Sequence, residues 1–424
     1  MSPQNPTVQN PTVQNPTATT PAHGLFTTGT PTDSWTVRTA LPVDYRVRTV
    51  PNVLDPANPA LARAGAPAHG GPRRRLLVVE AKVDELYGER IRAYCTAQRI
   101  EHRILVLLAN EQVKSMAAVF RVAEEMDRFG LARRGEPVIA IGGGVLTDVV
   151  GLACSLYRRS TPFVRVPTTL IGLVDAGVGA KTGVNFGEHK NRLGTYHPAA
   201  ETLLDPAFLA TLDRRHVSNG LAEILKVALI KDRELFGLLE RHGEALRSTR
   251  FQHPAAAEVI NRAVHGMLSE LQPNLWEKTL ERAMDYGHSF SPTLEMRALP
   301  ELLHGEAVCV DMALTSVLAA RRGLLDPVEC ARILTLMRRL QLPVHHRLLE
   351  PGLLHDALTD TVRHRDGRQR LPLPVGIGAG IFVDDLTPHE LTRAVHELHS
   401  AAATLTDRQA DEPQRRSANA DQAA

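Results

Sequence analysis

Aromatic residues make up only 4% of this 424-residue chain, and cysteine occurs four times. Cys95, Cys154, Cys309 and Cys330 are scattered, with no Cys-x-x-Cys pair. That argues against a disulfide scaffold or a cysteine metal cluster and leaves each thiol as a small buried hydrophobe. An excess of one charge is missing as well: 49 Lys and Arg face 47 Asp and Glu, a formal net charge of +2. A dedicated nucleic-acid binder concentrates basic charge, so that class is excluded. Arg73-Arg74-Arg75 reads instead as a solvated entry to a strand. No apolar run approaches the roughly 20 residues that span a bilayer. No basic-then-apolar segment at the N-terminus reads as a signal peptide. These absences predict a soluble, cytoplasmic protein. Apolar periodicity is absent from both ends. Residues 4–17 repeat Gln-Asn-Pro-Thr, and residues 407–424 are polar and rich in Ala, Gln, Asp and Arg. Residues 1–34 and 407–424 are therefore expected to be disordered tails.

Between the tails, the first half alternates short β-branched runs with helical patterns. Strands are predicted at 76–79, 104–108, 137–141 and 163–166, and helices at 83–97, 112–129 and 145–157. Such alternation implies parallel βα units that bind ligands beyond the strand C-termini. From about Asp213 the pattern changes to long helices at 221–229, 235–242, 255–271 and 307–322. The expectation is an α/β domain with a parallel sheet over 35–212 and a mostly α-helical domain over 213–406. A site is expected in the cleft between them.

Three groups of residues carry chemistry. The first is Gly142-Gly143-Gly144-Val145-Leu146-Thr147-Asp148, which follows a strand and opens a helix. Glycine admits close backbone approach, and a helix N-terminus offers free N–H groups to a pyrophosphate. A plain tight turn is the alternative. Glu80, at the end of the first strand of this region, is placed to accept a ribose hydroxyl. The second is Val166-Pro167-Thr168-Thr169 leading to Asp175, Lys181, Lys190, Asn191 and Arg192, where small residues bracket single charges. Those cations suit a phosphorylated or polyhydroxy substrate, and a solvated Gly-rich connection is the competing reading. The third is Glu223, His288 and His304. Two imidazoles and a carboxylate with one open position form a common catalytic zinc set. Their wide separation leaves surface or hydrogen-bonded roles open. Glu223 and Lys226, three apart, share a helix face.

Taken together and in order, these segments resemble the dehydroquinate synthase superfamily over about residues 75–380. The matching motifs are Glu111 with Lys114, Gly142–Asp148, Pro167-Thr168-Thr169, Asp175 with Lys181, Lys190-Asn191, Glu223 with Lys226, Gly287-His288 and His304-Gly305-Glu306. The resemblance implies an N-terminal NAD-binding domain, a helical metal-binding domain holding Zn2+ or Co2+, and a homodimer. It implies metal ligands Glu223, His288 and His304. NAD would meet Glu80, Glu111, Lys114, Gly143, Gly144, Val145, Asp148, Thr168, Thr169 and Lys190. The sugar phosphate would meet Arg159, Asp175, Lys181, Asn191, Asn219 and Lys226, the expected catalytic group. The implied chemistry is transient oxidation by NAD, elimination of phosphate, reduction and an intramolecular aldol closure.

The departures are as informative. Where dehydroquinate synthases carry Asn, His, Arg and Lys, this chain has Asp285, Pro292, Glu281 and Met267. Lost cations and a gained carboxylate suit an uncharged polyol end better than a carboxylate. That pattern resembles the sedoheptulose 7-phosphate cyclases. Within them, Asp55–Pro59, Pro273–Glu277, Asp285–Pro292 and Arg363–Pro372 look most like the branch that makes 2-epi-5-epi-valiolone. Sister branches make 2-epi-valiolone or desmethyl-4-deoxygadusol. A dehydroquinate synthase with altered contacts, a polyol dehydrogenase and an inactive NAD-binding scaffold are the competing readings.

Overall fold

The computed structural model describes residues 24–28, 34–65 and 74–400. The Gln-Asn-Pro-Thr repeat, Arg73 and residues 407–424 lie outside them, and with them most of the two expected tails. The chain divides into two units, Met1–Asp44 and Tyr45–Ala424. In the first, β1 (Gly24–Thr28) pairs antiparallel with β2 (Ser34–Arg38).

The second unit opens with β3 (Arg46–Thr49) and the short α1 (Ala60–Arg63). It then alternates β4 (Arg74–Glu80), α2 (Ala81–Ala97), β5 (Glu101–Leu107), α3 (Met116–Arg128), β6 (Val138–Gly142), α4 (Gly144–Leu156) and β7 (Phe163–Pro167). A hairpin of β8 (Lys181–Phe186) and β9 (His189–Tyr196) precedes β10 (Glu201–Leu204). Six strands form one parallel sheet in the order β3-β10-β7-β6-β4-β5. Successive residues Leu76, Leu77, Val78 and Val79 are all fully buried, because both faces of the sheet are covered. Leu77 and Val79 join the core beneath α1 and α2, while Leu76 and Val78 join the one beneath α3 and α4. The strand order reverses at β4, with β5 on one side and β6 on the other. The loops leaving β4 and β6 therefore part and open a crevice at their carboxyl ends.

The expected helix 112–129 is shorter than its pattern. Asn110 accepts hydrogen bonds from Gln112 and Val113 N–H, closing a single tight turn at Glu111–Val113. Lys114 and Ser115 leave helical geometry before α3 begins. The buried Lys114 ammonium needs its acceptors elsewhere, as described below.

The remainder is helical: α5 (Arg214–Ile230), α6 (Arg233–Ser248), α7 (Ala256–Leu271), α8 (Ser291–Ala298), α9 (His304–Arg321), α10 (Pro327–Arg339) and α11 (Pro351–His364). A short hairpin, β11 (Leu371–Pro374) with β12 (Gly380–Val383), follows. Two of these helices start at least three residues earlier than their apolar patterns. Asp213 caps α5 by accepting from Arg215 N–H, so Asn219 lies on the helix. Glu306 reaches back to Leu303 N–H, so α9 starts at His304. Every residue from Val217 to Ile230 and from Gly305 to Ala319 is buried, so these two helices form the centre of the helical part. No helix among the described residues is long and apolar enough to cross a membrane. All four cysteines are buried and unpaired, and burial pushes the Cys95 and Cys330 thiols up to about 11.

Candidate active site

A cavity of about 1240 Å3 runs from the crevice at β6 to the N-terminus of α9. Its cofactor end is the glycine loop. Gly143 caps α4 with no side-chain partner, and no acidic residue occupies the first turn. The helix N-terminus is thus open to an anion. A Cβ on Gly143 would meet Thr169 Cγ2 at 3.1 Å, and one on Gly144 would meet Ala176 Cβ at 3.0 Å. Larger residues would fill the cradle that a pyrophosphate needs. Lys114, nearly fully buried, donates to Asp148 and Asn191, both at 2.7 Å. One ammonium thus joins α3's approach, α4 and β9. Glu111 accepts from Asn185 at 2.9 Å.

Asp175 reaches the cavity from a single π turn at Gly172–Ala176 that follows β7. Gly177 N–H donates to Gly172 O at 2.9 Å, and a Cβ at Gly177 would collide with that oxygen. Such turns recur at functional sites because they displace one side chain from the helical path. Burial raises the Asp175 pKa, against the pull of Lys226, whose Nζ lies 3.6 Å away.

The far end is a metal-type triad. Ligand atoms of Glu223, His288 and His304 lie within 4.8 Å of one another. Glu223 Oε1 stands 3.3 Å from His304 Nε2 and 3.9 Å from His288 Nε2. Each imidazole is oriented through its other nitrogen: His288 Nδ1 on Tyr286 O at 3.2 Å, His304 Nδ1 on Glu295 at 2.9 Å. This leaves both Nε2 atoms for a shared centre, the arrangement that holds metal-binding histidines. Neither oxygen of the buried Glu223 accepts a hydrogen bond. Lys226 Nζ approaches Oε2 at 2.6 Å as an ion pair off the hydrogen-bonding direction. A buried carboxylate with one oxygen paired to an ammonium and the other facing two imidazole nitrogens fits a divalent cation.

The electrostatics of the triad agree. Burial first, and the Lys226 charge second, depress the His288 pKa to about 3, so its nitrogen is a free base. Burial and Lys190 also oppose protonation of His304. The carboxylates of Glu295 and Glu223 outweigh them and lift it to about 9, so one proton stands where a cation would. Despite its burial, Glu223 is held well below the usual carboxylate range by Lys226 and the two imidazoles.

Most expected site residues converge on this cavity: Glu111, Lys114, Gly143, Gly144, Val145, Asp148, Thr169, Asp175, Lys181, Lys190, Asn191, Asn219, Lys226, His288 and His304 line it. Four are placed differently. Glu223 sits beneath the lining as part of the triad. Glu80 accepts from Val83 N–H at 3.1 Å, capping α2 beside Gly142 rather than lining the cavity. Thr168 is buried, with its N–H on Gly142 O at 3.0 Å. Arg159 is exposed on the turn after α4 and does not line the cavity. Helix α4 starts at the carboxyl edge of the sheet, and its 13 residues cover about 20 Å, so the turn that follows lies at the opposite edge. Two other residues have partners that the sequence did not suggest. Lys190 binds both oxygens of Glu295 at 2.6 Å, and Asn219 Oδ1 accepts from Gly305 N–H at 2.6 Å.

Glu295 and Glu277 were missed as site residues. Glu295 is almost fully buried and joins Lys190 to His304, and its only sequence signal is a carboxylate between the two histidines. Glu277 pairs with Lys181 and Arg282 and accepts from Tyr196 at 3.0 Å.

A parallel nucleotide-type sheet, an open helix N-terminus and a buried Glu-His-His triad form a site suited to an anionic cofactor and a divalent cation. The chain belongs to the dehydroquinate synthase family: residues 104–219 match the 3-dehydroquinate synthase N-terminal model and residues 220–364 the C-terminal one. Its relatives are more particular. It is 61% identical over 376 residues to a 2-epi-5-epi-valiolone synthase of Actinoplanes sp., covering 87% of this chain and 94% of that one. A demethyl-4-deoxygadusol synthase of Trichormus variabilis is 41% identical over 83% of this chain and 87% of its own. Among solved structures, ValA, a 2-epi-5-epi-valiolone synthase from Streptomyces hygroscopicus subsp. jinggangensis with NAD+ and Zn2+ bound, superposes with a TM-score of 0.84. The two share 58% identity over 87% of this chain and 100% of that one.

Proposed function

We propose that this chain converts sedoheptulose 7-phosphate to 2-epi-5-epi-valiolone with release of phosphate, using NAD and a divalent metal. One observation carries the reading. Met267, Glu281, Asp285 and Pro292, the four departures from dehydroquinate synthases, all line the cavity that holds the triad. The cations left on that side are already paired within the chain. Lys181 and Arg282 pair with Glu277, and Arg282 and Arg365 with Asp285 at 2.7 and 3.4 Å. Among the described residues, a substrate carboxylate finds no unpaired cation there, whereas polyol hydroxyls find carboxylates to donate to. The 61% identity to the Actinoplanes synthase supports the same product.

Glu223, His288 and His304 would hold the metal. Gly143, Gly144 and the N–H groups of α4 would hold the NAD pyrophosphate, in a cofactor-binding half that ends before α5. When bound, NAD supplies a reversible hydride acceptor and the metal a Lewis acid for a substrate carbonyl. Asp175 accepts a substrate hydroxyl. Lys226, whose charge is secured by Glu223 and Asp175 against burial, faces developing negative charge on substrate oxygen. Lys181 lines the same cavity. Residues of α5, α7 and the start of α9 line the substrate end of the cavity, where the sugar would be held through elimination, reduction, ring opening and aldol closure. A cytoplasmic homodimer completes the reading, and four unpaired buried thiols suit a reducing compartment.

The test incubates the protein with NAD and Zn2+ or Co2+, giving sedoheptulose 7-phosphate in one reaction and the dehydroquinate precursor in another. Phosphate release only from the first, with 2-epi-5-epi-valiolone by NMR, is expected. Turnover only of the second overturns the reading, and a different C7 cyclitol reassigns the product alone.

A further inference from the structure

Arg165, in the middle of β7, is the largest fully buried side chain among the described residues. Among those residues, no carboxylate forms an ion pair with it. Its guanidinium lies 5.1 Å from the Phe163 ring centroid, and its Nε has no hydrogen-bond partner. Burial lowers its pKa, with the more distant Asp148 charge offsetting this only in part. A buried cation is costly unless its donors are used, so the reason for an arginine here lies in what those donors hold.

Its two donors point to the reason. Nη1 donates to Gly179 O at 2.6 Å and Nη2 to Lys181 O at 3.1 Å. Neighbouring carbonyls of the same segment are held in the same way. Thr202 Oγ1 donates to Gly177 O at 2.9 Å, Tyr45 OH to Val178 O at 3.2 Å, and His197 N–H to Ala180 O at 2.7 Å. All five consecutive carbonyls from Gly177 to Lys181 are therefore tied to donors outside the segment. This segment links the π turn that aims Asp175 to the start of β8, where Lys181 faces the cavity. Arginine's planar fork can span carbonyls two residues apart, which lysine's single ammonium cannot do with fixed geometry.

We propose that Arg165 is a positioning residue for substrate binding: by forking from β7 across Gly179 O and Lys181 O, it fixes the backbone that presents Lys181 and Asp175 to the sugar phosphate. It never touches the substrate itself. This deepens the proposed function and rests on it for the identity of the substrate. Misplacing a binding group by about 1 Å can cost about 100-fold.

The test compares wild type with Arg165→Met and Arg165→Lys in the presence of saturating NAD and metal. For Arg165→Met, kcat/KM falls about 10- to 100-fold, with KM rising at least about five-fold. Bound NAD and metal stay stoichiometric and the melting temperature stays near that of wild type. Arg165→Lys recovers only a small part of the loss. An unchanged kcat/KM overturns the proposal. So does a parallel fall of melting temperature, metal content and activity at constant KM, since that marks a purely structural arginine. If Arg165→Met does not fold, Tyr45→Phe and Thr202→Val test the same ladder through Val178 and Gly177. Each should raise KM about two- to five-fold, and two variants with wild-type KM overturn the proposal. If wild type turns over only the dehydroquinate precursor, the proposed function fails, while the Arg165 comparison is read on that substrate without change.

Discussion

At the scale of single residues, the triad depends on partners that do not touch its centre. His288→Ala removes one of the three proposed ligands, so bound metal and turnover should vanish together; metal analysis of the purified variant checks this. Glu295→Gln keeps the volume but removes the charge that orients His304 and pairs with Lys190. Metal affinity should fall about 10- to 100-fold, read by competition with a chelating dye. Asp311 gives a pH signature. It is fully buried on α9, accepts from Phe290 and Ser291 N–H at 2.6 and 2.9 Å, and is pushed up to about 6 by burial. A carboxyl raised in the folded state is stabilising while protonated. Its contribution is complete below the unfolded value near 4 and is lost as pH rises through about 6. Asp311→Asn cannot lose a proton. Its melting temperature relative to wild type should therefore climb between about pH 4 and 6 and level off above. A flat difference across that window refutes the buried-acid reading.

At the scale of elements, α5 acts as a template. Asn219, Glu223 and Lys226 recur at four- and three-residue spacing on one face. They grip the start of α9, supply a ligand and place a cation. The apolar pattern from Leu221 to Leu229 located the helix, but Asp213's cap extended it to include Asn219, which an apolar pattern does not report. The glycine loop was legible because a strand, three glycines and a helix follow one another directly. The π turn was not, since Gly172–Ala176 carries no residue type peculiar to that geometry. Its requirement lies in Gly177, where any Cβ meets a backbone oxygen. Gly177→Ala should cost about 1–3 kcal/mol of stability and at least about ten-fold in kcat, checked by denaturant melts and steady-state rates. Hairpin β8–β9 escaped prediction for a different reason: Gly183 and Gly194 let its strands approach closely, and its outer face is polar, so no apolar alternation marks it.

At the scale of the whole molecule, the order of motifs carried more information than any one of them. Glu223, His288 and His304 are separated by 65 and 16 residues in the chain, and they are joined by packing of α5 against α9 and of the His288 turn onto α9 through Tyr286. Spacing alone could not pair them, nor could it reveal that Arg159 ends up away from the cavity while Glu295 sits at its heart. Because the site joins sheet to helices, ligands should brace the fold. Metal at about 100 times Kd should add about 2.7 kcal/mol to stability, and saturating NAD a further increment of its own. Chelation should remove the metal's share, as a fall in melting temperature that added Zn2+ reverses.

The burial of every native thiol has a practical corollary. Cys95, Cys154, Cys309 and Cys330 are sequestered and held as thiols by burial, so they react poorly with maleimides in the folded enzyme. A cysteine introduced at Glu188, exposed at the tip of the β8–β9 hairpin, would then take a fluorophore almost alone, without first stripping the native sulfurs. The cavity wall that carries Lys181 and Asn191 could thus be watched by fluorescence while the substrate enters.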